Sequence, residues 1–396
     1  MSCQESEKVE EIEQENIYKF TTFLKTYSND IYGYDTGHSV QQTTDGGYII
    51  VGGFYSIETG RTNLLFIKTD SLGTKEWDKS HVNGDLVGEE GYSVQQTTDG
   101  GYIITGSINT GESNNVFLYK TDSQGNEEWA KTFGEINQYD KRGYSVQQTT
   151  DGGYIITGIS LSEENAYDVL LIKTDSQGNE EWNKTFGENN IIKDEKGYSV
   201  QQTTDGGYII VGHKQLEFNN QDVLLIKVDS QGNEGWNKMY GGDFYDYGYS
   251  VQQTTDGGYI ITGSLETPPI DKNLLLIKTD SEGNLDWYNT FVFYGDDKSE
   301  GKSVQQTTDG GYIIGGTTAS NKTFELLLVK VDSKGTQEWF NTFYNHNSKR
   351  TIGYFAKQTN DNGYIIVGTS NLDNDKNLHD WDILLVKTHF KGELNN

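Results

Sequence analysis

A sixteen-residue segment that recurs almost unchanged along the chain constrains its fold more than any other feature. The segment is GYSVQQTTDGGYIITG, and the aspartate of its turn returns every 51 to 54 residues. This period is typical of a four-stranded propeller blade and is too long for one coil of most solenoids. The seven copies therefore predict an all-β fold, a seven-bladed β-propeller of four-stranded blades. The turn aspartates are Asp45, Asp99, Asp151, Asp205, Asp256, Asp309 and Asp361.

Turn residues and runs of β-branched or aromatic residues place four strands within each repeat. In the third repeat we expect strand A at 143–150, strand B at 154–158, strand C at 168–174 and strand D at 180–186. The Asp151-Gly152-Gly153 turn separates A from B, because glycine supplies the positive φ of a tight hairpin. Strands B and C are continuous apolar runs, which predicts burial on both faces between neighbouring blades.

The last repeat has segments for strands A, B and C but none for strand D. Near the N-terminus, FLKTY at 23–27 aligns with WNKTF at 182–186. We therefore predict that the N-terminal strand closes the last blade, which protects its edge. On this basis residues 1–16 form an acidic flexible tether and residues 17–396 form the propeller.

A second recurring pattern joins an aspartate turn, a glycine and a tryptophan four residues after that glycine. It resembles the tryptophan-docking motif of the quinoprotein-like propeller repeat, in which the ring locks adjacent blades. The DGGYII and TDSxGNxxW segments also resemble those of bacterial and archaeal surface propellers. The resemblance implies a fold but no activity, since the docking-motif family includes both dehydrogenases and noncatalytic outer-membrane scaffold lipoproteins. The docking positions are Trp77, Trp129, Trp182, Trp236, Trp287 and Trp339, with Phe23 at the same position in the closing strand.

Charge and cysteine content exclude several classes of function. A formal net charge of −28 should repel phosphate backbones, so we expect no nucleic-acid partner. No run of about 18 apolar residues occurs, so we expect no transmembrane segment. The single cysteine, Cys3, cannot form an internal disulfide or a multi-cysteine metal site. It also cannot form the adjacent-cysteine disulfide of quinoprotein dehydrogenases, which argues against a quinone enzyme.

Cys3 is followed by a polar, acidic segment. This start resembles the mature end of a bacterial lipoprotein, with Cys3 as the lipidated residue, and it implies a location in the cell envelope, either anchored to a membrane or in the periplasm. We also expect the chain to be a monomer. The alternative is an incidental cysteine on the tail of a cytoplasmic protein.

Residues that could support catalysis or metal binding are scattered. The six histidines lack metal-ligand spacing and are spread along the chain. Asp373-Asn374-Asp375-Lys376-Asn377 matches the start of a calcium loop, but Leu378 replaces its glycine and no glutamate closes it. We therefore predict no catalytic residue, metal site or cofactor, while the oxygen-rich turns are compatible with a bound cation such as calcium.

The loops from strand D to the next strand A carry an acidic residue in six repeats, and Lys349 and Arg350 take their place in the last repeat. If strand A lines a channel, these carboxylates form a ring around its mouth that favours a cation or a basic ligand segment. Alternatively, each carboxylate caps local backbone amides. Three arginines are expected in loops of the same face, and four tyrosines could stack on a sugar or peptide. The residues are Asp35, Glu89, Asp140, Glu195, Asp246 and Glu300, then Arg61, Arg142 and Arg350, then Tyr139, Tyr245, Tyr247 and Tyr294.

The loops also suggest which face has a function. The A-to-B and C-to-D turns are nearly uniform, whereas the B-to-C and D-to-A loops differ between repeats, as expected for loops that carry binding residues. We expect a noncatalytic binding or scaffold propeller that engages a glycan, a peptide or a protein through the variable face. One alternative is a carbohydrate-active hydrolase or lyase that uses a pair of carboxylates at the channel mouth, which a blade-specific acidic pair in a deep pocket would indicate. Another is a lectin with one site per blade.

Overall fold

The computed structural model describes residues 21–28, 34–56, 60–81, 88–111, 113–134, 139–163, 166–188, 193–217, 220–267, 271–293, 298–320, 323–344, 348–372 and 381–394. Within those ranges the chain forms 28 β-strands. None of the described segments is a helix that could cross a membrane.

The strands follow the repeats, four to a repeat except at the ends. They are β1 (Phe23–Tyr27); β2 (Tyr34–Gln42), β3 (Tyr48–Ser56), β4 (Arg61–Thr69) and β5 (Lys75–His81); β6 (Glu89–Gln96), β7 (Tyr102–Asn109), β8 (Asn114–Thr121) and β9 (Glu127–Phe133); β10 (Lys141–Gln148), β11 (Tyr154–Leu161), β12 (Tyr167–Thr174) and β13 (Glu180–Phe186); β14 (Glu195–Gln202), β15 (Tyr208–Glu217), β16 (Asn220–Val228) and β17 (Glu234–Tyr240); β18 (Asp246–Gln253), β19 (Tyr259–Thr267), β20 (Asp271–Thr279) and β21 (Leu285–Phe291); β22 (Ser299–Gln306), β23 (Tyr312–Ser320), β24 (Thr323–Val331) and β25 (Gln337–Phe343); β26 (Ser348–Gln358), β27 (Tyr364–Leu372) and β28 (Trp381–Thr388).

Each repeat folds into an antiparallel group in which strands A, B, C and D pair in order. Four of the groups are separate four-stranded sheets, and the others belong to a twelve-stranded sheet. Within that larger sheet, single parallel bridges join the groups, at Tyr34 with Trp381 and at Phe324 with Arg350. Strand A of each repeat contacts strand A of the next, and β26 contacts β2, so the innermost strands form a closed ring.

The N-terminal strand completes the last repeat, as its sequence predicts. β1 pairs antiparallel with β28, and Phe23 lies opposite Lys387. In the third repeat Trp182 lies opposite Lys173 in the same way. β1 therefore occupies the strand D position in the register that the other repeats use.

The hydrophobic core lies between adjacent repeats, and the tryptophans dock there. Trp182 of the third repeat packs against the cluster that contains Tyr208 and Ile210 of the fourth repeat. A Cβ on Gly232, at φ +76°, would collide with the Trp182 ring, so this turn requires glycine for both its conformation and the close approach. The same ring-on-glycine contact recurs at every repeat, with Phe23 on Gly73, and each ring lies 5.6–6.2 Å from a buried tyrosine. The rings are partly rather than fully buried.

Candidate functional site

The middle of strand A contributes a layer of aromatic side chains to the central channel. Every strand A carries a β-bulge between its glycine and the residue two positions later, and a bulge redirects the side chain that it contains. Neighbouring rings in this layer contact one another with centroids 4.9–5.5 Å apart. The layer consists of the aromatic residues His38, Tyr92, Tyr144, Tyr198, Tyr249 and Tyr354, and Lys302 occupies the same position in the sixth repeat.

The acidic residues predicted for the channel mouth do not form a ring. Asp35, Glu89, Glu195 and Asp246 lie within strand A, not in the preceding loop, and are at most 3% exposed. Because side chains alternate between the two faces of a strand, these four carboxylates point into the space between repeats and not toward the channel opening. Asp140 precedes β10, and Glu300 is the second residue of β22. The prediction of a carboxylate ring around the channel mouth is therefore wrong.

Five of these carboxylates bond to separate local partners. Glu89 lies 2.6 Å from His81 Nδ1, whose pKa it raises, and Glu195 lies 3.0 Å from Lys214 Nζ. Glu300 bridges Lys272 and Lys302 at 2.8 and 3.1 Å.

Asp140 accepts a hydrogen bond from the Asn114 backbone amide and pairs with Arg142 at 3.1 Å. Asp246 accepts from the backbone N–H groups of Gly242 and Glu266. Asp140 and Asp246 thus match the alternative in which the carboxylates cap local amides.

The three arginines lie in strands rather than in loops, because strands A and C begin earlier than the sequence pattern indicates. Arg61 begins β4, Arg142 belongs to β10, and Arg350 belongs to β26. Arg142 pairs with Asp140, whereas the Arg350 guanidinium lies 4.7 Å from the centre of the Phe324 ring. Arg61 lines a separate cavity of about 290 Å³ beside Glu89. The structure does not bring these arginines together.

Two of the predicted tyrosines extend the aromatic layer outward. Tyr245 stacks on Tyr247 at 6.5 Å and Tyr247 on Tyr249 at 5.9 Å, with ring planes within 7°. Tyr139 is exposed and separate from this stack. Tyr294, Cys3 and the calcium-like segment 373–377 lie outside the described residues.

A groove between the fourth and fifth repeats is the candidate functional site. It has a volume of about 700 Å³ and lies between β17 and β19, β20 and β21, and the loop 241–244 forms one end. Met239, Phe244, Leu285 and Tyr288 line it and are 39–57% exposed, which is unusual for large apolar side chains clustered in one place.

The groove is apolar because the fourth and fifth repeats depart from the others there. Met239 occupies a position that is Thr132 or Thr185 in other repeats. Leu285 replaces the glutamate seen at Glu180, and Tyr288 replaces the asparagine seen at Asn183. The predictions made from the sequence did not include this groove, although the signal is present: in a chain of nearly identical repeats, the exceptions mark a specialised surface.

Acidic groups lie at the inner side of the groove. Burial raises the pKa of Asp246 to about 6, and the neighbouring Asp222 carboxylate adds to this effect. Burial also raises the pKa of Asp222. Gly241 makes the pair possible, because a Cβ there would collide with both carboxylates. Together with Asp243 and Glu266, the pair gives this side of the groove a negative character.

Within the described ranges, no group of three or more histidine, cysteine, aspartate or glutamate side chains is arranged to hold a metal ion. The oxygen-rich turn residues instead bond to their own turns. For example, Asp175 Oδ1 accepts from the backbone amides of Gln177 and Asn179.

Comparison with solved structures establishes the architecture. The β-propeller domain of the Trilobed protease from Pyrococcus furiosus superposes with a TM-score of 0.51 at 8% identity, over 91% of this chain and 97% of that one. The Pan2 WD40 domain of Neurospora crassa gives 0.52 at 8% identity, over 91% and 92%. The chain is a β-propeller. The polysaccharide lyase Uly1 gives 0.54 at 9% identity, over 92% and 91%.

At such low identity these likenesses show the fold of the propeller alone. No protein-family model and no curated protein matches the chain.

Proposed function

We propose that this β-propeller has seven blades and acts as a noncatalytic binding or scaffold protein, with the groove between its fourth and fifth blades as the principal binding site. The observation that carries the proposal is the convergence of blade-specific apolar residues, Met239, Leu285 and Tyr288, on one exposed groove. Phe244 of the variable loop 241–244 and Glu266 near the end of β19 line the same groove. A rigid blade scaffold with variable loops at one face is a common arrangement for binding sites.

The chemistry of the groove favours a peptide or a protein segment over a glycan. Met239 and Leu285 are aliphatic and offer no flat face to a sugar ring, although Tyr288 does. Asp243 and Glu266 at the groove and the net charge of −28 favour a cationic neighbour. The proposed ligand is a peptide segment with an apolar side chain flanked by lysine or arginine.

Display of a random peptide library on the intact protein tests this proposal. We expect selected peptides to combine an apolar residue with a basic neighbour. The variant M239T/L285E/Y288N restores the residues of other blades, and it should bind selected peptides at least roughly tenfold more weakly, as measured by calorimetry. Gln337→Glu, at the position of Leu285 in the next blade, is the matched control and should bind normally. Equal binding by the triple variant, or selection of glycans alone from a parallel array, would contradict the proposal.

One observation supports a carbohydrate-active enzyme as a second candidate. Asp222 and Asp246 form an acidic pair with raised pKa values, and Asp246 borders the groove. However, both Asp246 oxygens accept backbone hydrogen bonds, and the residue is 1% exposed, so it is poorly placed to reach a glycosidic bond. Degradation of any polysaccharide in a panel by the wild type, lost in Asp246→Asn, would establish this alternative.

The lectin alternative has less support, because residues common to the repeats are engaged within the scaffold. Lys173, for instance, lies 2.9 Å from both Asp151 and Glu181 and is almost fully buried. The cell-envelope location and the lipidation of Cys3 remain proposals that rest on the N-terminal sequence. Incorporation of a labelled fatty acid in the native host, abolished by Cys3→Ser, would test them.

A further inference from the structure

The central channel has a layer of glutamine side chains on the side of the uniform turns. In six strands A, the first glutamine of the QQ pair accepts a hydrogen bond at its Oε1 from a backbone N–H of the next blade, over 2.5–2.9 Å. All six line a cavity of about 210 Å³ in the channel. They are Gln41, Gln95, Gln147, Gln201, Gln252 and Gln305.

This bonding fixes the orientation of each amide. A backbone N–H can only donate, so the side-chain oxygen must face it and the Nε2 group must lie on the other side. Among the described residues, no acceptor bonds to the Nε2 groups of these six glutamines. The layer therefore offers unused amide donors to the channel cavity.

A layer of serines lies beside the glutamines. Ser39, Ser93 and Ser145, for example, accept from backbone N–H groups of the next blade at 3.2–3.5 Å. Each serine oxygen uses a lone pair to accept this bond, and its hydroxyl hydrogen remains able to donate. The serine layer adds further donors to the same cavity.

The last blade breaks both layers. Phe355 takes the place of the serine, and Lys357 takes the place of the glutamine. Lys357 is half-buried, and burial lowers its pKa. Within the described part of the chain it has no ion-pair partner. It is also the only charged residue among those that line this cavity and the adjoining one toward the uniform turns.

We propose that the channel binds a small oxyanion, a carboxylate or a phosphate-like ion, between the Lys357 ammonium group and the glutamine amides. A buried cation without a counter-charge is costly, and an oxyanion would supply both the charge and the acceptors for the amide donors. No carboxylate lines the cavity to compete with it. The cavity also has room for several waters of about 30 Å³ each, so a partly hydrated ion fits.

Calorimetric titration of the intact protein with phosphate, sulfate and acetate, at constant ionic strength set with chloride, tests the proposal. We expect one site per chain for at least one of these ions, and the three titrations distinguish an inorganic anion from a carboxylate. Lys357→Gln should bind at least roughly tenfold more weakly, while Lys357→Arg should retain binding because it keeps the charge. Lys334→Gln, on an exposed turn, is the control and should bind as the wild type does.

Lys357→Gln should fold well, since glutamine occupies this position in the other blades. Its side-chain oxygen would provide an acceptor for the backbone N–H of Gln42. Its melting temperature without anion should equal or exceed that of the wild type. The proposal is overturned if the wild type binds none of these ions up to about 10 mM, a concentration that largely fills a millimolar site. Unchanged binding by Lys357→Gln would overturn it equally.

Discussion

Asp222 illustrates how a charged residue at the interface between two blades affects stability. It occupies a strand C position that is asparagine in three blades, at Asn63, Asn115 and Asn273, and aspartate in two others, at Asp168 and Asp382. Its Oδ1 atom is buried and, among the described residues, has no hydrogen-bond partner. The nearby Asp246 carboxylate is 1% exposed, and burial raises its pKa to about 6. Two buried carboxylates therefore destabilise each other when both are ionised.

We expect Asp222→Asn to raise the free energy of unfolding by about 1 kcal/mol at pH 7 and by little at pH 4. An acid whose pKa is raised by folding takes up protons as the chain folds, so stability falls as pH rises from about 4 to 6. Without Asp222, the pKa of Asp246 should fall and this decline should flatten. Urea unfolding at several pH values from 4 to 7 measures this dependence of the free energy of unfolding on pH. Asp243→Asn, exposed in the adjoining loop, should leave the slope unchanged, and an unaltered slope in Asp222→Asn would refute the coupling.

At the scale of elements, β1 joins the last blade to the first. It pairs along its length with β28 of the last blade. Its Phe23 ring contacts Tyr48 of the first blade at 6.0 Å, and Tyr27 Oη donates to the Gly73 carbonyl at 2.7 Å. One strand thus supplies a sheet edge to one blade and the docking ring to its neighbour.

Deletion of residues 1–28 should lower the melting temperature markedly, because the last blade would lose its outer strand and the first blade its docking ring. Deletion of residues 1–16 should leave it nearly unchanged. A finer comparison is Phe23→Ala, which should cost about 2–3 kcal/mol, below a full core truncation because the ring is only partly buried. Phe23→Trp restores the residue of the other blades and should be tolerated. Equal thermal stability of the two deletion variants would exclude closure by β1.

At the scale of the whole molecule, the blades are nearly interchangeable. The docking contact between a ring and the next glycine turn is the same at every interface. The strand A segments that pack in the inner ring share the sequence SVQQTT in six repeats. Neighbouring blades therefore have few features by which one correct partner is distinguished from another during folding.

We expect refolding from denaturant to give mispaired and intermolecularly paired chains, with a native yield that falls as the protein concentration rises. Size-exclusion chromatography after refolding at several concentrations measures the yield. Protein diluted from native buffer is the control and should elute as one species. Complete recovery that does not depend on concentration would contradict this expectation.

The strands, the closing strand and the docking contacts could be predicted because they depend on local pattern and repetition. Turn glycines, apolar runs and the Trp182 motif act over a few residues and recur in every blade. The alignment of 23–27 with 182–186 likewise requires only comparison of the chain with itself.

The placement of side chains around the channel was decided by the tertiary structure. The bulge in strand A changes which residues face the channel, so the tyrosines enter the aromatic layer while Glu195 and Asp246 turn between blades. The groove exists only because β17 and β21, about fifty residues apart in sequence, present Met239 and Tyr288 to the same space. Lys357 differs from an ordinary lysine only because the closed ring of strands places it among the glutamine amides. Such placements depend on register and closure, which no local stretch of the chain encodes.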